Sequence, residues 1–295
     1  MRRAEIRILC SLSIAIWGGG LATLCAAQAL PRLVAVKVSQ LPILDGAGDD
    51  PAWREARPVD VVVKGVMPKT KGTATRAQLR AVYTDQDLYL LVTWEDATRD
   101  DKAHKPWVWN QSKGAYEEGA EREDMLGVAF EHTGPFTGDM LAGVDAVWDV
   151  WHWKATRTNP QGYAMDRTHR FSSSQPGYKA NKHKANDGAD TWIARPEDRG
   201  NTVEIKQPAP KEYQGERVPQ YLPGTPTDSA ADVRAKGAWS NGRWTVELQR
   251  RLLTGHDDDS QFEPGRRYKM AISTHDHSGD MDKASEVVEL SFASD

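Results

Sequence analysis

Short runs of alternating or β-branched residues recur along most of the chain and predict β-strands. Helical periodicity of useful length is hard to find. Ser240-Asn241-Gly242 predicts a tight hairpin, because Asn and Gly tolerate the positive φ that such turns need. This pattern predicts an all-β fold, a β-sandwich. The predicted strands are residues 59–63, 77–83, 88–94, 126–130, 146–154, 233–239, 244–249, 268–274 and 287–292.

Residues 159–227 differ in character from the rest of the chain. This stretch is polar, contains several prolines and glycines, and has few alternating runs. It is too long for an ordinary connection between two strands. We therefore predict one domain over residues 30–295 with a long irregular insertion, an elaborated loop region that covers one face of the sandwich. Ligand sites tend to lie in such insertions.

The first 29 residues have the features of a secretory signal peptide. Three arginines precede an apolar stretch over residues 8–24, and Ala27-Gln28-Ala29 offers the small-x-small cleavage pattern. We expect cleavage near Ala29 and export of the remaining chain.

Both cysteines, Cys10 and Cys25, lie in the segment expected to be removed. The mature chain is then expected to have no disulfide, no thiolate metal site and no Cys-x-x-Cys-His for covalent haem attachment. The formal net charge of −4 becomes more negative without the leader, which disfavours nucleic acid as a partner. Beyond the leader, no stretch is long and apolar enough to predict a membrane span. Signature motifs of hydrolases, P-loop proteins and dinucleotide-binding enzymes are missing.

Residues 148–154, Trp-Asp-Val-Trp-His-Trp-Lys, are the richest in candidate chemistry. In a strand, Asp149, Trp151 and Trp153 would share one face, while His152 and Lys154 would share the other. Nitrogen atoms beside aromatic surface suit a flat apolar ligand, by iron ligation or by hydrogen bonds to a propionate. The alternative is a tryptophan-rich core strand in which His152 is hydrogen-bonded and Lys154 extends to solvent.

Four other segments offer weaker signals. Met140, in the loop before this strand, is either a thioether ligand or a filler of the core. The acidic, glycine-rich opening at residues 45–50 is either a calcium-binding turn or a capped turn above a buried Trp53. Residues 274–282 and 256–259 combine histidine with aspartate, which is compatible with a metal site but also with polar loops.

Two passages resemble the ethylbenzene-dehydrogenase-related haem-binding domain family. The first contains Trp151-His152-Trp153-Lys154-Ala155 and continues to Tyr163; the second covers residues 239–250, followed by Thr254-Gly255 and Gln261-Phe262. The opening through Trp53, with residues 83–89, is similar both to this family and to the carbohydrate-binding family 9 sandwich. Unlike many relatives, this chain has no Cys-x-x-Cys-His before the signature.

The resemblance implies a periplasmic β-sandwich that holds a non-covalent b-type haem and transfers electrons. In the best-known members it is a small subunit of a molybdopterin oxidoreductase of the dimethyl-sulfoxide-reductase class, so molybdopterin oxidoreductase subunits or a c-type cytochrome are the implied partners. The family's axial ligands are methionine and lysine, which map best to Met140 and Lys154. Lys236 and His152 are alternatives to Lys154, and Trp151 and Trp153 are implied to flank the cofactor. The competing interpretation is a calcium-supported carbohydrate-binding module.

Overall fold

The computed structural model describes residues 29–66, 69–278 and 283–293, and nearly all of its regular structure is β. Its one α-helix is α1 (Pro51–Glu55), and two 3-10 helices cover Asn159–Gln161 and Asp228–Ala231. The strands are β1 (Arg32–Lys37), β2 (Val59–Gly65), β3 (Ala74–Tyr83), β4 (Asp87–Glu95), β5 (Trp107–Asn110), β6 (Ala115–Glu118), β7 (Met125–Thr133), β8 (Ala146–Lys154), β9 (Met165–Ser172), β10 (Asn181–Lys184), β11 (Asp190–Ala194), β12 (Glu204–Lys206), β13 (Arg217–Val218), β14 (Tyr221–Pro223), β15 (Arg234–Ser240), β16 (Arg243–Arg251), β17 (Arg267–His275), β18 (Lys283–Ser285) and β19 (Val288–Phe292).

Fourteen of these strands form one sheet, in the order β10-β11-β9-β8-β7-β17-β18-β2-β3-β4-β16-β15. β1 and β19 lie off this path, where they pair in parallel with each other and join β3 to β17. The sheet folds over so that β8 packs against β4 and β16. The ring of Trp153 on β8 lies 6.3 Å from that of Trp94 and 5.0 Å from that of Trp244. The two layers enclose a shared core, which confirms the predicted β-sandwich.

The core consists of the inward residues of these strands, because alternate side chains of each strand point between the two layers. Trp94, Trp153 and Trp244 are its central aromatic cluster, and all three are buried. Burial of such large apolar surfaces is the dominant stabilising contribution to a fold of this kind.

Each strand predicted from the sequence is present, with ends that differ by a few residues. The predicted hairpin is also confirmed: Ser240 pairs with Arg243, and Asn241 and Gly242 form the two-residue loop with φ values of 53° and 74°. Those positive angles are the ones that this turn type requires.

The region 159–227 carries more strand than the sequence predicted. Here β9, β11 and β10 extend the main sheet beyond β8, whereas β12, β13 and β14 belong to smaller sheets. The sequence pattern did not predict β9, because both faces of this strand carry polar residues. Two of these residues, Asp166 and Thr168, point into the sandwich and are buried. The prediction of an irregular insertion is therefore correct only for part of this region.

Within the described part of the chain, no helix has the length and apolarity needed to cross a membrane.

Gly237 on β15 allows the two layers to approach closely. A Cβ atom at this position would lie 2.5 Å from Cζ2 of Trp153. We therefore expect Gly237→Ala to lower the free energy of unfolding by about 1–3 kcal/mol through overpacking. Denaturant unfolding measures this loss. Gly177→Ala is the control, because a Cβ atom there meets nothing within 4 Å; equal stability of the two variants would contradict the packing account.

Candidate cofactor-binding site

The strand β8 carries different chemistry on its two faces, as the sequence predicted. Asp149, Trp151 and Trp153 point into the sandwich, and both tryptophans have no exposed surface. His152 and Lys154 point outward. Trp151 and Trp153 therefore support the strand from the core side, and they lie on the opposite side of the sheet from His152 and Lys154. Trp151 and Trp153 therefore cannot flank a cofactor that is bound on the Lys154 side, although the family resemblance implies that they do.

The outward side of β7, β8, β9 and β17 has a floor of small side chains. Gly127 pairs with His152 on one side and with Ser273 on the other. One step along the sheet, Ala129 pairs with Ala271 in the same way. Cross-strand partners share a face, so these residues form a low central strip on which a flat group can approach the backbone.

Around this strip the same face collects side chains with nitrogen and sulfur donor atoms. Met125 pairs with Lys154, His275 pairs with Met125, and Met165 pairs with His152. We call this outward surface of β7, β8, β9 and β17 the donor face. Its donor-bearing residues are Met125, His152, Lys154, Met165, His169 and His275, joined by Met140 from the loop before β8.

His152 lies near the middle of the donor face. Its Nε2 atom is buried and has no hydrogen-bond partner among the described residues. Its ring centroid is 5.4 Å from that of His275. Burial, and then the charge of Lys154, hold the pKa of His152 well below its ordinary value. The ring is therefore neutral, the state in which imidazole ligates a metal.

Lys154 is almost completely buried at the end of β8. Its Nζ atom lies 2.7 Å from Oε1 of Glu204 and 2.6 Å from Sδ of Met165. Burial lowers the pKa of Lys154 to about 8, although Glu204 acts in the opposite direction. One of the two interpretations of the sequence places Lys154 at the solvent. The structure differs, because Lys154 is buried.

Arg157 and Glu204 close the donor face at this end. Arg157 donates from Nη1 to Oε1 of Glu204 over 2.9 Å, and its Nε forms a short ion pair with Glu123. Its guanidinium also lies 4.6 Å from the centre of the Tyr221 ring. Burial tends to raise the pKa of Glu204, but Lys154 and Arg157 outweigh it, and the pKa is lowered. Glu204 is therefore ionised between two cations.

A cavity of about 420 Å³ lies beside Arg157, within the size range of ligand sites. Lys102, His104 and Tyr221 are among its lining residues. Burial, followed by the charge of Arg157, lowers the pKa of His104 to about 2, so this imidazole is neutral. The cavity combines apolar walls with positive charge from Lys102 and Arg157.

Met140 lies at the other end of the donor face. It packs against the cluster that contains Trp148 and Val150, and it lines a small cavity of about 50 Å³ over Gly127 and Ala271. Trp148 and Lys154 are six residues apart on one strand, roughly 20 Å. The structure therefore brings Met165, rather than Met140, next to Lys154.

Lys236 is not on the donor face. It lies on β15, in the other layer, and its Nζ donates to the backbone oxygen of Asn159 over 3.1 Å. This contact gives Lys236 a structural role in joining β15 to the turn after β8.

The opening segment forms a capped turn. Oδ2 of Asp50 accepts from the backbone N–H of Ile43, and Oδ1 of Asp45 accepts from that of Ala47. Trp53 is buried beneath this turn, and its Nε1–H donates to Oε1 of Glu247.

The segment 274–282 is described only in part, because Gly279–Asp282 lie outside the described residues. Within it, Nδ1 of His277 lies 3.0 Å from Oδ1 of Asp100.

Sequence reasoning missed Met125, Met165, Arg157 and Glu204. Nothing in the local pattern marks them, because their relation to Lys154 depends on strand pairing and on a contact across 50 residues. The one available signal for the methionines is position: each stands at the first residue of a strand next to β8.

Three comparisons place the chain among known proteins. The sequence profile described as "Ethylbenzene dehydrogenase" matches residues 50–285. The sequence matches no curated protein.

Among solved structures, a putative carbohydrate-binding protein from Bacteroides uniformis ATCC 8492 is similar with a TM-score of 0.44 and 10% identity, over 90% of this chain and 100% of that one. A family 9 carbohydrate-binding module from Caldicellulosiruptor kristjanssonii, in complex with glucose, gives a TM-score of 0.37 and 11% identity over 89% and 96% of the two chains. The assignment of the sandwich rests on the strand pairing of the chain itself. The profile match extends over most of the sequence, and the chain therefore belongs to the ethylbenzene dehydrogenase family.

Proposed function

We propose that this protein binds a b-type haem without covalent attachment on the donor face and passes single electrons. One observation carries the proposal: methionine, histidine and lysine side chains converge on one sheet face around a floor of glycine, alanine and serine. Methionine and histidine are common axial ligands of electron-transfer haems, and lysine is the ligand that the family resemblance implies. The family membership described above supports the same assignment.

The residues present fit such a group. His152 offers a buried, neutral Nε2 atom that has no hydrogen-bond partner in the described part of the chain. A flat ring would reach the strip formed by Gly127, Ala129 and Ala271 only after the loop that carries Met140 moves away, because the cavity over this strip has a volume of about 50 Å³. Both cysteines precede residue 29, so ligands and packing alone would hold the ring. Lys102, which lines the cavity beside Arg157, would be a candidate partner for a carboxylate of the cofactor.

When bound, haem supplies a one-electron iron couple, and the chain sets its potential through ligand identity and burial. Lys154 is the proposed nitrogen ligand. A lysine ligates only as the neutral amine, and the depressed pKa of about 8 brings that form close to neutral pH. Met165 is the methionine nearest to Lys154, while Met140 is the sequence-based candidate for the second ligand.

We place the protein in the periplasm, as a subunit or partner of a molybdopterin oxidoreductase or of a c-type cytochrome. Support comes from the family and from the predicted export leader, most of which lies outside the described residues. The chain itself shows no catalytic constellation in its described part, so electron transfer rather than substrate chemistry is the proposed task.

A carbohydrate-binding role is the second candidate, favoured by a separate observation. Trp109 and Tyr213 lie with ring centroids 5.2 Å apart, and Tyr213 is 58% exposed. Exposed aromatic rings of this kind provide stacking surfaces. The segment with residues 45–50 matches the capped-turn alternative rather than the calcium-binding one, because Asp45 and Asp50 accept backbone hydrogen bonds there.

Haem titration followed by absorbance in the Soret region tests the ligand assignment. We expect Lys154→Gln to weaken haem binding about tenfold or more, the scale at which perturbed ligand shells lose affinity. Lys236→Gln is the matched control and should bind haem like the unaltered protein. Normal spectra and affinity for Lys154→Gln would remove Lys154 from the site.

The methionine ligand is identified by the reduction potential of the haem-loaded variants. If Met165 is the second ligand, Met165→Leu should shift the potential, because loss of a thioether ligand changes the electron density at iron. Met270→Leu, in the core of the sandwich, is the control. If the reduction potential shifts in Met140→Leu and not in Met165→Leu, Met140 is the ligand, as the sequence resemblance implies. If it shifts in neither variant, neither methionine is a ligand.

The pH dependence of stability tests the state of Lys154 independently of haem. Its pKa in the folded protein is about 8, below the ordinary value of 10.5, so between these values the unfolded chain binds more protons. The stability contributed by this group therefore rises as pH increases from about 8 to 10.5. Denaturant unfolding at a series of pH values measures this effect. Between pH 8 and 10.5, the free energy of unfolding of the unaltered protein should increase relative to that of Lys154→Gln. Parallel curves would show that the lysine keeps its ordinary pKa.

A further inference from the structure

A cluster of side chains remote from the donor face has the geometry of a metal site. It lies where the 3-10 helix at Asp228–Ala231 meets the loop after β16. Nδ1 of His256 is 2.6 Å from Oδ2 of Asp232 and 3.8 Å from Oδ2 of Asp259. One potential ligand atom from each of the three residues lies within 4.8 Å of the others.

Asp259 provides a second observation that points to a ligand site. Its side chain has no exposed surface, and its Oδ2 atom has no hydrogen-bond partner among the described residues. Burial raises the pKa of Asp259, whereas the charge of Arg250 and the side chain of Thr254 act in the opposite direction. A buried carboxylate oxygen without a partner is destabilising, and this one points toward His256.

The surrounding groups orient the three side chains as an outer shell does around a metal. Nε2 of His256 lies 3.3 Å from Oδ1 of Asp228, which fixes the ring so that Nδ1 faces Asp232 and Asp259. Arg250 holds the other oxygen of Asp259 from Nη1 at 3.1 Å. His256 and Asp232 are partly exposed, at 23% and 19%, which leaves an entry path from solvent.

We propose that Asp232, His256 and Asp259 bind one divalent transition-metal ion of the zinc type, through Nδ1 and one oxygen of each carboxylate, with water completing the coordination. One imidazole nitrogen with carboxylate oxygens is a ligand set that zinc accepts, whereas calcium takes oxygen ligands throughout. The positive charge compensates the surplus of aspartate at this place, where Asp228 and Asp258 also lie.

The metal would tie two parts of the chain together. Asp232 lies two residues before β15, whereas His256 and Asp259 follow β16. Through Arg250, Asp259 is also connected to Asp149 on β8, whose Oδ2 is 2.7 Å from Nη1 of Arg250. Bound metal is therefore expected to stabilise the sandwich as well as the loop.

Titration of chelator-treated, haem-free protein with Zn²⁺, in competition with a chromophoric chelator, tests the proposal. The expected result is one tight site that His256→Ala and Asp232→Asn each weaken about tenfold or more. His183→Ala, on β10, is the matched control and should bind as the unaltered protein does. Thermal unfolding should shift upward with Zn²⁺ in the unaltered protein and in the control only.

Binding of Co²⁺ supplies a readout that does not depend on affinity. Visible absorption bands of the bound ion should report nitrogen and oxygen ligation and should change in His256→Ala. If the unaltered protein binds Zn²⁺ no more tightly than His256→Ala does, the cluster is an ion pair between His256 and its aspartates and the proposal fails. Because no haem is present, this outcome is independent of the function proposed for the donor face.

Discussion

The alternation of side chains along β8 determines where both the core and the donor face lie. Because side chains alternate along a strand, this one segment supplies the aromatic centre of the core and the nitrogen donors of the opposite face. A shift of one residue in its pairing would expose Trp151 and Trp153 and bury His152 and Lys154 between the layers. The core packing of Trp153 against Trp94 and Trp244 therefore fixes where Lys154 lies.

Much of the sandwich was predictable, because its central strands bury one apolar face and so show a clear alternation. The strand β9 was not, since Asp166 and Thr168 take the interior positions that apolar residues usually fill. The site was predictable only in part. The faces of His152 and Lys154 follow from local alternation, whereas the proximity of Met165 and Glu204 to Lys154 depends on pairing and on distant loops. Because strand pairing cannot be read from the sequence, the sequence indicated Met140 rather than Met165 as the methionine ligand.

Buried charge lies on both sides of β8. On the donor face, Lys154 and Arg157 share Glu204. On the core side, Arg250 contacts Asp149 and Asp259 with no exposure of any of the three side chains. Buried ion pairs of this kind contribute little net stability, since desolvation offsets their attraction. These ion pairs are better explained by the side chains that they hold in place. On the donor face they hold Lys154, whose pKa is lowered, and on the core side Arg250 orients Asp259.

The central claim is that the donor face holds a haem through Lys154. The most direct measurement is a crystal structure of the haem-loaded protein, with the iron located by its anomalous scattering. The account predicts one iron on the outward side of β7, β8, β9 and β17, bonded to Nζ of Lys154. An iron located elsewhere, without Lys154 as its ligand, or a protein that binds no haem, would contradict it.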